Sequence, residues 1–159
     1  MRFGTDGVRG VANSELTPEF ALALGRAVTH AFDATRVVIG RDTRRSGTLI
    51  ESAIAAGAAA QGAGVELAGV VPSPAVALIA QRDDVLGIVV SASHNVFSDN
   101  GIKVFAPGGL KLSDDDQARS ESLIERGAEL ERPEGAAVGE VRPARSSGST
   151  LYADASVSV

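Results

Sequence analysis

Cysteine is absent from this 159-residue chain, so no disulfide framework is open to it. Its absence suits a reducing compartment and leads us to expect a cytoplasmic protein. Aromatic residues make up only 4% of the chain, too few to build stacking platforms for nucleobases. A basic excess is also missing, since the net charge is −5, and no nucleic-acid partner is expected. Long apolar runs are lacking as well. AIAAGAAA, from Ala53 to Ala60, is too short and too small-residued to cross a bilayer, and a Gly-rich polar segment follows Met1 in place of a signal peptide. No membrane partner is expected either. Neither the GK[ST] ending of a P-loop nor a GxSxG nucleophile elbow occurs.

What is present is 44% hydrophobic content in one domain's worth of chain. A domain of this size buries roughly 70% of its unfolded surface and needs no disulfide or metal to hold it. Three strand-then-loop units recur: TRVVIG into RDTRRSG, VELAGVV into PSPA, and VLGIVV into SASHN. Helical patterns lie between them. Thr17-Pro18 supplies an N-cap and a first-turn proline, followed by Phe20, Leu24, Val28 and Ala31 on one face. A second helix runs from about Ser46 to Gln61, with small residues that would let it lie close against a sheet. Pro72 and Pro74 open a third, ending near Arg82.

GIKVFA, Gly101–Ala106, reads as a fourth strand, antiparallel to the third because a tight turn at Asp99-Asn100-Gly101 leads into it. The expected fold class is α/β, with a mixed, mostly parallel four-stranded sheet between helices. Ser113 caps a further helix whose first turn carries Asp114, Asp115 and Asp116, a placement that suits the helix dipole. Residues 1–140 are expected to form this domain. Residues 141–159 read as linker and the start of an incomplete second domain, because Pro, Gly, Ser and charge dominate the stretch from Glu131.

Polar residues gather where such a sheet binds ligands, at the carboxyl ends of its strands. RDTRRSG and SASHNVFSDNGIK both fall there, and FGTDGVRG adds glycine turns around Asp6 and Arg9. Arg9, Arg41, Arg44, Arg45 and Lys103 among hydroxyls suggest an anion such as phosphate. Taken singly, FGTDGVRG is equally a turn, RDTRRSG a solvated helix cap, and His94 a structural residue. His30 reads as a surface residue late in the first helix. Ser93 and His94 are sequence neighbours, which is not the arrangement of a Ser-His hydrolase.

In this order and spacing, FGTDGVRG, GRDTRRSG and SASHNVFSDNGIK resemble the first domain of the α-D-phosphohexomutases over about residues 1–150. The resemblance is greatest to the bacterial members that act on glucosamine phosphates. It implies that Ser93 bears a transferable phosphoryl group and that glucosamine 6-phosphate and glucosamine 1-phosphate interconvert through a bisphosphate. His94, Arg9 and Lys103 match the residues flanking the phosphoserine, with Thr5, Asp6, Arg41 and Asn95 in support. Mg2+ would bind through phosphorylated Ser93, its other ligands lying in a domain without a match here. The partner implied is a hexosamine phosphate.

Other sugars of the family, mannose and glucose phosphates, remain alternatives, as does a non-catalytic phosphate- or partner-binding domain. The family usually has proline after Ser-His-Asn, whereas this chain has Val96, which would loosen the loop. Its metal loop, sugar-recognition loop and terminal phosphate-binding loop have no match. The rest of a mutase chain is therefore expected elsewhere, and this piece alone is expected to be inactive and to self-associate.

Overall fold

The computed structural model describes residues 1–4, 6–144, 150 and 153. In chain order the elements are β1 (Val8–Val11), α1 (Pro18–Ala31), β2 (Arg36–Arg41), α2 (Gly47–Ala60), β3 (Gly64–Val70) and α3 (Ser73–Asp83). They continue with β4 (Leu86–Val90), β5 (Asp99–Phe105), α4 (Asp114–Glu125) and β6 (Val141–Pro143). One sheet orders the strands β1-β5-β4-β2-β3-β6. β2 is parallel to β3 and β4, β6 is parallel to β3, and β5 is antiparallel to both β1 and β4.

Local chemistry explains the helix starts. Thr17 accepts a hydrogen bond from the Phe20 amide at 3.2 Å, and Pro18 begins α1 with its φ already helical. Ser113 and Asp116 form a reciprocal capping box at α4. The steps β2 to β3 and β3 to β4 run in opposite directions along the sheet, so right-handed crossovers place α2 and α3 on opposite faces. Two cores result. Leu24, Val28, Ile50 and Ile54 of α1 and α2 pack on Ile39, Val65, Ile88 and Ile102 on one face. Ala75, Val76 and Ile79 of α3 pack on Val38, Val89 and Phe105 on the other. Each fully buried Leu, Ile or Val contributes about 1.5–3 kcal/mol relative to exposure.

The α/β class and the antiparallel fourth strand hold, but the sheet has six strands where four were expected. Val8–Val11 is a strand, although its glycines and arginine suggested only a turn. It pairs with Asp99–Ile102, which is likewise strand and not the tight turn expected there. Gly101 is squeezed between these partners: a Cβ would stand 2.8 Å from the Ser91 carbonyl oxygen and 3.0 Å from that of Val8.

Val141–Pro143, expected as linker, is an edge strand on β3. The Val65 amide donates to the Glu140 carbonyl at 2.8 Å, and the Ala144 amide to that of Leu67 at 2.9 Å. Proline is tolerated there because an edge strand has amides that need no partner. The remainder of the expected second-domain start lies, except for Thr150 and Ala153, outside the described residues.

The small residues of α2 meet α1 as well as the sheet. A Cβ on Gly57 would collide with the Leu22 carbonyl oxygen, and one on Gly25 with that of Ile54. This close approach locks α1 onto α2, which lies over β2, β3 and β4.

Candidate active site

β2 and β4 are neighbours, with Arg41 opposite Val90 at their carboxyl ends. Their outgoing connections leave in different directions, the kind of switch point at which open α/β sheets bind ligands. The loop after β4 runs from Ser91 to Ser98, and Ser93–Ser98 are exposed. Ser93 has φ 58°, in the left-handed region. Its amide donates to Ser91 Oγ at 3.1 Å, and its own Oγ lies 3.1 Å from Nδ1 and 3.3 Å from Nε2 of His94. A hydroxyl with an imidazole against it thus stands clear of the surface.

Arg9 reaches this loop from β1. Antiparallel pairing sets Arg9 opposite Gly101, and its Nη1 donates to Asn95 Oδ1 at 3.1 Å. Asn95 in turn donates through Nδ2 to Asp99 Oδ2 at 3.1 Å. Asp6 lies 3.7 Å from the Arg9 guanidinium and 2.8 Å from Lys111 Nζ. The hydrogen bond and charge of Lys111 hold the Asp6 carboxyl below its ordinary range, with Lys103 and Arg9 adding to the effect.

The expected site residues therefore divide. Ser93, His94, Asn95 and Arg9 come together, with Asp6 behind Arg9. Lys103 sits on β5 opposite Val89 and lines a neighbouring hollow with Phe3, Asp6 and Lys111. That hollow is the more enclosed of the two, and among the described residues its lining has no hydroxyl or thiol side chain; the more open depression holds Ser93 with Asp42, Arg44 and Asn95. Arg41 is bound to α2: its Nε donates to Glu51 Oε2 at 3.1 Å, where burial raises the Glu51 pKa and Arg41 opposes that rise. Thr5 lies outside the described residues. Among the described residues, no group of three or more His, Cys, Asp or Glu side chains is placed to hold a metal.

Sequence reasoning counted Arg44 only among the cations around an anion and did not single out Asp42; both line the same depression as Ser93. Arg44 Nε donates to Asp42 Oδ2 at 3.1 Å, and its terminal nitrogens reach three carbonyls of the serine loop and that of Asp99 at the start of β5. The Asp-x-Arg spacing in RDTRRSG was the available signal. Lys111, the ion-pair partner of Asp6, was also missed.

Residues 1–131 match the family model for phosphoglucomutase/phosphomannomutase, alpha/beta/alpha domain I. The chain belongs to this family. Phosphoglucosamine mutase of Syntrophomonas wolfei subsp. wolfei is 50% identical over 147 residues, covering 87% of this chain and 33% of the relative. That of Salinispora arenicola is 51% identical over 148 residues, with the same coverage of 87% and 33%. Among solved structures, a phosphoglucomutase/phosphomannomutase family protein of Burkholderia thailandensis matches with a TM-score of 0.72 and 28% identity, over 89% of this chain and 32% of that one. The chain thus spans about a third of the length of the relatives it matches. The matched span, residues 1–131, includes the loop after β4 that carries Ser93.

Proposed function

We propose that this chain is the phosphoserine domain of a phosphoglucosamine mutase, interconverting glucosamine 6-phosphate and glucosamine 1-phosphate. The observation that carries the reading is Ser93 itself, exposed at the carboxyl end of β4 with the His94 ring 3.1 Å from its hydroxyl. Half-identity to two enzymes named phosphoglucosamine mutase supports the choice of sugar.

In the forward half-reaction a sugar hydroxyl oxygen attacks the phosphorus on Ser93 and gives up its proton. The bond from phosphorus to Oγ breaks, the sugar gains the phosphoryl group as a bisphosphate, and Oγ takes up a proton. His94 is within hydrogen-bond reach to hold or return that proton. Returning the other phosphoryl group to Oγ closes the cycle. Such a transition state gains most from preorganised cations, and Arg9, fixed by Asn95 and Asp6, is a candidate.

Mg2+ prefers about six oxygen ligands, and a phosphate on Ser93 would offer one at an open surface. The fit is partial, so the remaining ligands would come from outside the described residues. When bound, the ion neutralises charge on the transferring group. Lys103, Arg41 and Asp6 act on this reading by shaping the surrounding charge.

The test is made on the full-length protein. Intact mass should show one phosphate at Ser93, and Ser93→Ala should abolish turnover of glucosamine 6-phosphate with Mg2+. Phosphate found only on Ser91 or Ser98 would overturn the assignment. Faster turnover of mannose or glucose 6-phosphate would move the protein to another branch of the family.

A further inference from the structure

A guanidinium group has five N–H donors, and in Arg44 every one is engaged. Nε faces the Asp42 carboxylate at 3.1 Å. Nη1 donates to the carbonyls of Val96 at 2.6 Å and Asp99 at 3.0 Å. Nη2 donates to those of Ser93 at 2.9 Å and Asn95 at 2.8 Å. The other Asp42 oxygen accepts the Arg44 amide at 3.0 Å, which aims the side chain. Only 11% of the Arg44 side chain is exposed. An arginine so saturated has no donor left for a ligand. It ties the loop after β2 to the loop after β4.

We propose that Arg44 is a positioning residue for Ser93, holding the serine loop in its reactive conformation through the loop carbonyls and never touching the transferring phosphoryl group. This rests on the reading of Ser93 as the phosphoryl carrier. The loop needs such a brace. Ser93–Ser98 are exposed and bury little apolar surface, so packing does not determine their conformation. The backbone bonds there, Asn95 to Ala92 and Asp99 to Val96, close turns but do not aim Ser93. The Val96 carbonyl, at the position where the resemblance leads one to expect proline, is itself held by Arg44.

Arg44→Lys in the full-length protein tests this, because lysine keeps the charge but offers a compact ammonium in place of the planar fork. Misplacement by about 1 Å can cost about 10²-fold in rate. We expect kcat, normalised to phosphoserine content, to fall by about that factor with KM for glucosamine 6-phosphate unchanged. Hydrogen exchange of amides 93–99 should accelerate while the thermal midpoint stays near that of the parent. Asp42→Asn, which removes the charge that aims the guanidinium, should give the same split at smaller amplitude and carries the test should Arg44→Lys not fold. Ser93→Ala is measured alongside. Turnover surviving in Ser93→Ala would defeat the phosphoserine reading. An inactive Ser93→Ala with normal kcat in Arg44→Lys would defeat only the positioning role. A rise in KM with loop protection intact would make Arg44 a substrate contact and overturn the proposal.

Discussion

Ser93 occupies a backbone region, φ 58°, that a serine enters only when its surroundings impose it. Such a conformation costs on the order of 1–3 kcal/mol, and glycine relieves most of it. Ser93→Gly should therefore stabilise the folded chain by about 1 kcal/mol in denaturant unfolding while removing the phosphoryl acceptor. A stability equal to or below that of the parent would show that the Arg44 and Ser91 contacts do not hold Ser93 against strain. The other residues around it divide by commitment. Arg44 and Arg41 are bound to protein acceptors, whereas Arg45 lies exposed in the depression with no ion pair among the described residues. Counting arginines in the sequence could not separate these roles.

At the scale of elements, β6 is the part most open to a simple test. Glu66 on β3 bonds Arg142 of β6 at 2.9 Å and Arg36 of β2 at 3.3 Å, fastening the edge of the sheet. The Arg142 hydrogen bond, with Arg36 adding its charge, holds the Glu66 carboxyl below its ordinary value of 4.5. A depressed carboxyl stabilises the fold above its unfolded pKa, and that stability is lost as pH falls through the folded value. Glu66→Gln should thus cost about 1 kcal/mol near neutrality, where both flanking arginines are partly exposed, and little once the pH has fallen below the depressed Glu66 value. Unfolding curves across that range check it: equal losses at both pH values would mean that the charge is not what fastens β6. The capped helices needed no such tertiary support to be recognised, since Thr17-Pro18 and Ser113-x-x-Asp116 carry their start signals locally.

For the whole molecule, exposed apolar side chains lie beside Ser93. Phe97 is 91% and Val96 65% exposed at the tip of the serine loop, and Val11 pairs with Asp99 alongside. Intra-chain domain interfaces bury about 600–1,500 Å², and a surface of that kind left open favours weak self-association. The 159-residue chain alone should associate with rising concentration in sedimentation and show no mutase turnover. Phe97→Ser should shift the association to higher concentration. A chain that stays monomeric throughout would remove the association claim, and turnover by the pure chain would show that one domain suffices for the reaction.

The sequence alone determined what depends on near neighbours or on motif order. It set the alternation of buried strands with capped helices, the antiparallel return after β4, and the serine loop with its histidine. Tertiary structure decided what depends on distant pairing. Val8–Val11 and Val141–Pro143 have weak strand character and become strands because β5 and β3 present unpaired edges to them. It also decided which arginine does what, because the five acceptors of Arg44 come from the loops after β2 and β4 and the start of β5, up to 55 residues away in sequence. Hydrogen-bond saturation is a property of converging backbones, and a linear pattern of residue types does not encode where carbonyls will point.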